Sequence, residues 1–235
     1  MNIPPLIRLS GVVKTKGAFT LHAEGTFGPG VHLLTGRIGS GKTTLGEILA
    51  GIIQPDTGTI SWTGGRRVML LQDASYHIST MTVREEAASW HADPDVIIRR
   101  AGLTGKEDAD LFTLSRGEVR RLELAAILSG EYELIVLDEP FAGLDEDARC
   151  FVRRLIETRR DAVVVIISHD ITSLPKIDQL VAMEAGTLIQ IGQVPQCLQN
   201  WNEAPALIRY LRKNGVCPAG LSREDLEEAL CRIRG

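Results

Sequence analysis

Residues Gly36 to Thr44 read G-R-I-G-S-G-K-T-T: two glycines, Gly36 and Gly41, enclose four residues, and Lys42 and Thr43 follow at once. This spacing is that of a phosphate-binding loop, which needs a buried strand before it and a helix N-terminus after it. Backbone N–H groups have to converge on phosphate oxygens, and a side chain at Gly39 or Gly41 would block that approach. The flanks agree. Val31-His32-Leu33-Leu34-Thr35 reads as a short buried strand, and Leu45, Ile48 and Leu49 recur at helical spacing. Gly36, Arg37, Ile38, Gly39, Ser40, Gly41, Lys42, Thr43 and Thr44 are therefore the candidate nucleotide-binding residues. The Lys42 ammonium suits the β and γ phosphates, and the Thr43 hydroxyl suits a magnesium ion bridging them.

Other apolar runs end in polar residues. Val68-Met69-Leu70-Leu71 delivers Gln72, Glu133 to Leu137 delivers Asp138 and Glu139, and Ala162 to Ile167 delivers Ser168 and His169. The last run is almost pure Val and Ile, as expected of a strand covered on both faces. Ligands of open α/β sheets lie beyond the carboxyl ends of the strands, so these groups should converge on one triphosphate. There Asp138 would hold magnesium through its water shell and Glu139 would polarise the attacking water. His169 would reach the γ-phosphate and the nucleophile.

The remaining text completes an α/β reading. Leu6 to Leu9 and Ala18 to Leu21 suggest antiparallel entry strands, and Thr59 to Trp62 a short strand. From Asp73 to Phe112 the pattern turns helical, around Val83 to Trp90 and Asp95 to Ala101. Helices follow at Val119 to Leu128 and Glu146 to Thr158, the second packing through Phe151, Val152, Leu155 and Ile156. Leu180 to Glu184 and Thr187 to Ile191 flank Ala185-Gly186 as a hairpin. Ala206 to Lys213 reads as a helix, and Ser222-Arg223-Glu224-Asp225 as a capping box opening another. The expected fold is a P-loop NTPase mixed sheet with antiparallel N-terminal strands. The P-loop domain covers residues 1–199, with a helical subdomain inserted at about 73–113, and a short α-helical extension covers 200–235.

Composition removes several classes of function. The net charge is −4 and the 26 basic residues are dispersed, so no nucleic-acid footprint is present. Arg99-Arg100, Arg120-Arg121 and Arg153-Arg154 read as solvated helix faces. The four cysteines form no C-x-x-C, which argues against a metal knuckle and for reduced thiols in the cytosol. Neither a signal peptide nor an apolar run of about 18 residues is evident, so membrane association is expected through a partner.

The order of these motifs resembles the ATP-binding cassette family over nearly the whole chain. The Walker A loop matches Gly36 to Thr43, the Q-loop glutamine Gln72, the signature Leu114-Ser115-Arg116-Gly117-Glu118, the Walker B run Leu134 to Asp138 with Glu139 after it, the D-loop Ala142 to Asp145, and the switch histidine His169. The resemblance implies Glu139, His169 and Gln72 as catalytic residues and Thr43, Gln72 and Asp138 around the magnesium. It implies further that Ser115, Gly117, Glu118 and Asp145 meet nucleotide held by a second subunit. Two such domains, identical or closely related, would stack head to tail on two ATP molecules. The family usually has Gly where Arg116 stands; Arg116 is either a phosphate contact or solvated. It also places an aromatic residue on adenine, upstream of the loop, where Lys14 and Thr15 stand and Phe19 is the nearest candidate.

Gln72 to Glu86 and the tail from Ala204 to Leu226 resemble the ATPases of energy-coupling factor importers of metal ions or vitamins, which act with a transmembrane coupling protein and a substrate-binding membrane protein. The tail reads equally as a helical cap on the sheet. The implied function is an importer ATPase, peripheral on the inner face of the membrane, with ATP and Mg2+. The alternatives are a non-transport ATPase acting on nucleic acid or ribosomes, and a regulatory ATP sensor that does not hydrolyse.

Overall fold

The computed structural model describes residues 4–71 and 80–234. Strands β1 (Ile7–Lys16) and β2 (Phe19–Phe27) form an antiparallel pair, and β3 (Gly30–Gly36) leads into α1 (Lys42–Ala50). Strand β4 (Thr57–Trp62) returns antiparallel onto β1, and β5 (Arg67–Leu70) follows. Three helices come next: α2 (Val83–Ser89), α3 (Pro94–Ala101) and α4 (Arg116–Ser129). Then β6 (Leu134–Asp138), α5 (Glu146–Glu157), β7 (Val163–Ile167), β8 (Gln179–Glu184) and β9 (Thr187–Gln193) complete the sheet, with α6 (Ala206–Lys213) and α7 (Arg223–Arg234) last.

The sheet order is β4-β1-β2-β9-β8-β3-β7-β6-β5. Its β8-β3-β7-β6-β5 part is parallel throughout, and β1, β2 and β4 form the expected antiparallel region. Register decides where the site falls. Gly36 pairs with Met183 and Asp138 with Ile167, so the end of β3 and the end of β6 reach the same sheet edge.

Alternation along the strands separates two cores. Val164 and Ile166 of β7 face the cluster that includes α4, α5 and the C-terminal helices, while Val163, Val165 and Ile167 face the cluster built on α1, β1 and β2. All five are at most 1% exposed, which is why the run tolerates no polar residue until Ser168. Trp201, Ile208, Leu211, Leu221 and Leu226 lie in the first of these clusters, so the C-terminal helices share a core with the sheet. Ser222 and Asp225 form the cap read in the sequence: Ser222 Oγ accepts from Asp225 N at 3.2 Å, and Asp225 Oδ2 accepts from Ser222 N at 3.3 Å.

A third, smaller cluster joins Val83, Ala87, Ile97, Ile98, Leu103 and Leu111 to α4. Helix α4 meets it through Leu122, Ala125 and Ala126, and meets the sheet through Leu124, Ile127 and Leu128. It is thus buried on two faces.

Several expectations change. The α4 helix begins three residues before Val119, at Arg116, because Ser115 caps it and Glu118 closes the box. Arg120 and Arg153 are buried instead of solvated, and only Arg99, Arg100 and Arg154 of the paired arginines are exposed. Position 120 shares a helical face with Leu124 and Ile127, so the core, not solvent, receives its side chain. Phe151 is half-buried, and Ala148 takes its place among the buried residues of α5. The hairpin turn matches the sequence: Ala185 (φ 46°) and Gly186 (φ 84°) both take the positive angles of a two-residue type I′ connection.

Candidate nucleotide site

The loop between β3 and α1 wraps the helix N-terminus. Gly41 precedes the helix with φ 104°, no side chain caps it, and the first turn carries no acidic residue, so the positive end of α1 is left to an anion. Glycine is required at Gly41 twice over. Beyond the backbone angle, a Cβ there would lie 2.7 Å from Cζ of Phe19. Lys42 bends back over the loop, its Nζ donating to the carbonyls of Gly36 at 2.8 Å and Arg37 at 3.0 Å. Burial pulls its ammonium pKa down, while the charges of Glu139 and Asp138 oppose that shift, which places all three groups in one electrostatic neighbourhood.

The magnesium candidates are likewise adjacent. Thr43 Oγ1 donates to Asp138 Oδ2 at 2.7 Å, across a sequence separation of 95 residues. Asp138 is 3% exposed, and desolvation holds its pKa above the usual carboxylate range, the Thr43 hydrogen bond working against this. A hydroxyl and a carboxylate are hard oxygen donors, the set that suits Mg2+.

Glu139 stands one residue beyond β6 with φ 46°, a left-handed angle rare outside glycine. Its N–H donates to Ile167 O at 2.9 Å, and its carboxylate collects three donors from the end of β7. Ser168 Oγ lies 3.2 Å from Oε2; His169 N lies 3.2 Å and His169 Nδ1 2.6 Å from Oε1. A carboxylate accepts, so the tautomer that suits this contact carries its proton on His169 Nδ1, on a ring 73% exposed.

The remaining candidates divide. Arg37, Ile38 and Gly39 are exposed, Ser40 is buried, and Thr44 is half-buried on α1. With His169, Glu203 and Pro205, residues Arg37, Ile38, Gly39 and Ser40 border a cleft of about 630 Å³ in which Arg37 faces Glu203 at 3.5 Å. Ser115 and Glu118 satisfy each other at the start of α4: Ser115 Oγ donates to Glu118 Oε2 at 2.8 Å. Asp145 caps α5 by accepting from Ala148 N at 2.8 Å. Among the described residues no hydrogen bond or ion pair joins Ser115, Gly117, Glu118 or Asp145 to the phosphate loop. Arg116 is exposed. Gln72 lies outside the described residues, as does residues 73–79 of the stretch that resembles energy-coupling ATPases. Phe19 lines a recess of about 210 Å³ with Gly39, Gly41, Lys42, Thr43 and Thr44, whereas Lys14 and the Thr15 N–H are both taken by Asp56.

Two residues carry no site signal in the sequence: Ser168 reads only as a strand end, and Arg120 reads as solvated, although its guanidinium donates to the Leu71, Asp138 and Glu139 carbonyls. Only the phase of α4 marks the burial of the latter.

Comparison with known proteins agrees with this geometry. The family model described as ABC transporter matches residues 25–142. The aliphatic sulfonates import ATP-binding protein SsuB 3 of Rhodococcus jostii is 34% identical, over 95% of this chain and 89% of its own. The energy-coupling factor transporter ATP-binding protein EcfA2 of Thermotoga maritima is 28% identical, over 85% of this chain and 86% of its own. Among solved structures, an ATP-bound bacterial Atm1-family ABC exporter superposes on 91% of this chain with a TM-score of 0.74 at 16% identity, and the chain spans 43% of that exporter's length. The fold is therefore that of an ABC nucleotide-binding domain, and the chain belongs to the ABC transporter family as one of its ATPases.

Proposed function

We propose that this chain is the ATP-hydrolysing subunit of an importer, peripheral on the inner face of the membrane, and that it works as a head-to-tail pair with a second copy or a close paralogue. The partners would be a transmembrane coupling protein and a substrate-binding membrane protein. Import relatives of both the sulfonate and the energy-coupling factor kind support this, and the stretch around Gln72 and the tail favour the energy-coupling branch, with a metal ion or vitamin as cargo. No helix among the described residues is long and apolar enough to cross a membrane, so transport would need such partners.

The observation that carries the catalytic part is the Glu139 carboxylate, aimed by three donors of Ser168 and His169, just past β7, beside Lys42 and the Thr43–Asp138 pair. In this reading the uncapped start of α1 and Lys42 bind the phosphates, and Thr43 and Asp138 would hold the Mg2+ whose charge offsets that of the β and γ oxygens. Glu139 orients the attacking water and accepts its proton. His169 fixes the Glu139 carboxylate through Nδ1–H and turns Nε2 toward the γ-phosphate. Ser115 and the Gly117 N–H, at the N-terminal end of α4 on the same chain, supply the lid for the partner's nucleotide.

Glu139→Gln keeps the shape and removes the base. Turnover should fall by roughly 10²- to 10⁴-fold while ATP affinity persists, and the variant should run as a dimer in ATP on a sizing column. Parental turnover in this variant would remove Glu139 from the mechanism. Recovery of the tagged chain with RNA instead of a hydrophobic membrane protein would remove the importer.

A further inference from the structure

Helix α4 carries the exposed Ser115 at its start and, five residues on, a guanidinium sealed inside the protein. Arg120 is 5% exposed and reaches the ends of two neighbouring strands at once. Its Nη1 donates to Leu71 O at 2.8 Å, just past β5, and its Nη2 to Asp138 O at 3.0 Å and Glu139 O at 3.3 Å, at the end of β6. Glu123, one turn along, lies 3.6 Å away and supplies countercharge. Strand ends leave carbonyls without ladder partners, and a rigid planar fork that serves three of them fixes their relative positions. One is the carbonyl of Glu139, whose left-handed backbone is otherwise tied by its N–H to Ile167 and by Ala142 N to the same carbonyl at 3.2 Å. Such a conformation persists only where its surroundings over-determine it.

We propose that Arg120 is a positioning residue for hydrolysis: through the carbonyls of Leu71, Asp138 and Glu139 it makes the placement of the Glu139 carboxylate follow the placement of the Ser115 end of α4. The two ends of this linkage are about 7 Å apart along one rigid helix. A displacement of Ser115 on meeting a partner is therefore passed to the acid pair without a loop between them. Sheet and α4 share this side chain, which is 5% exposed and, among the described residues, makes no hydrogen bond or ion pair to the phosphate loop. The proposal rests on the reading of Glu139 as the base.

The test compares Arg120→Gln and Arg120→Lys with the parent by steady-state ATP turnover, by equilibrium binding of a fluorescent ATP analogue and by thermal melting. Arg120→Gln should lower kcat by about 10- to 100-fold, the scale of a misplacement of about 1 Å, with KM and analogue affinity within about twofold. Arg120→Lys, able to serve fewer carbonyls, should fall between. Parental kcat in both variants overturns the proposal. So does a loss of kcat that tracks equal losses of analogue affinity and thermal stability, because a purely structural role predicts that pattern. If Arg120→Gln fails to fold, Arg120→Lys decides alone: reduced kcat at unchanged affinity supports the linkage, parental kcat ends it. Glu139→Gln measured alongside separates the two failures. Turnover lost there but kept in the Arg120 variants sinks the linkage only, whereas turnover kept in Glu139→Gln sinks the base assignment and the linkage with it.

Discussion

The edge of the parallel sheet and the start of α4 are built by opposite means. At the sheet edge the polar groups come from the start of α1 and from the ends of β6 and β7, and find their partners across the fold: Thr43 with Asp138, Glu139 with Ser168 and His169. Strands that are wholly buried hold those groups, so the site's shape depends on the whole core. At the start of α4, Ser115 and Glu118 satisfy each other in a capping box, Ser115 and Arg116 are exposed, and Phe112 beside them is 75% exposed. The first region gathers its groups from distant parts of one chain. The second offers its Ser115 hydroxyl and helix N-terminus outward, and its geometry is set locally.

The largest expected effects test this division directly. Lys42→Ala should weaken ATP binding by the isolated chain about 100-fold or more, since a half-buried, charge-assisted phosphate contact is removed. Ser115→Arg should leave that affinity within about twofold and still lower turnover by about 100-fold or more. Mixing the two inactive variants sharpens the point. In a head-to-tail pair, the intact loop of one chain faces the intact α4 of the other, so activity should reappear in the mixture. Fluorescence binding and phosphate release measure both arms; a mixture that stays inactive breaks the comparison.

The two regions also differ in how legible they were from sequence. Gly36 to Thr43, Asp138, Glu139 and His169 were readable because each ends an apolar run whose only explanation is burial, and the parallel register then brings them together. What remained hidden depended on phase and distance. Arg120 lies on the buried face of α4 with Leu124 and Ile127, yet a charged pair in a helix reads as solvated unless the helix start is known. The start is marked by S-R-G-E at Ser115 to Glu118, which has the same capping spacing as the Ser222 box. Nothing in the sequence could reveal that Phe19 would pack on Gly41, because that contact follows from the β2 path and not from any local pattern.

A stability experiment probes the same contrast one level down. Ile97 is fully buried in the small cluster of α2, α3 and α4, apart from both sheet cores. Ile97→Ala should cost about 2–5 kcal/mol, the range for deleting a buried aliphatic side chain. Because that cluster meets the sheet mainly through α4, hydrogen exchange should show α2 and α3 opening at a lower free energy while β3, β6 and β7 stay protected. Equal loss of protection in all of them would show one cooperative unit and erase the distinction between the regions.

The smallest effect concerns the cap itself. Glu118 accepts from Ser115 N and Ser115 Oγ and pairs with Lys106 at 2.6 Å. Led by the Lys106 hydrogen bond, these partners hold its carboxyl at about 2, below the usual 4.5. A carboxyl depressed on folding contributes stability that is complete above about pH 4.5 and is lost as the pH falls toward about 2. Glu118→Gln preserves a cap acceptor but removes the charge, and a surface pair of this kind is worth under about 1 kcal/mol. The melting temperature at pH 7 should thus drop by less than about 3 °C, with the gap narrowing in high salt and closing as the parent is acidified toward about pH 2. A gap that ignores salt and pH would assign the effect to cap geometry alone. If instead the substitution changed ATP affinity in the isolated chain, the start of α4 and the phosphate loop would be coupled within one subunit, and the local character of that cap would no longer explain its independence.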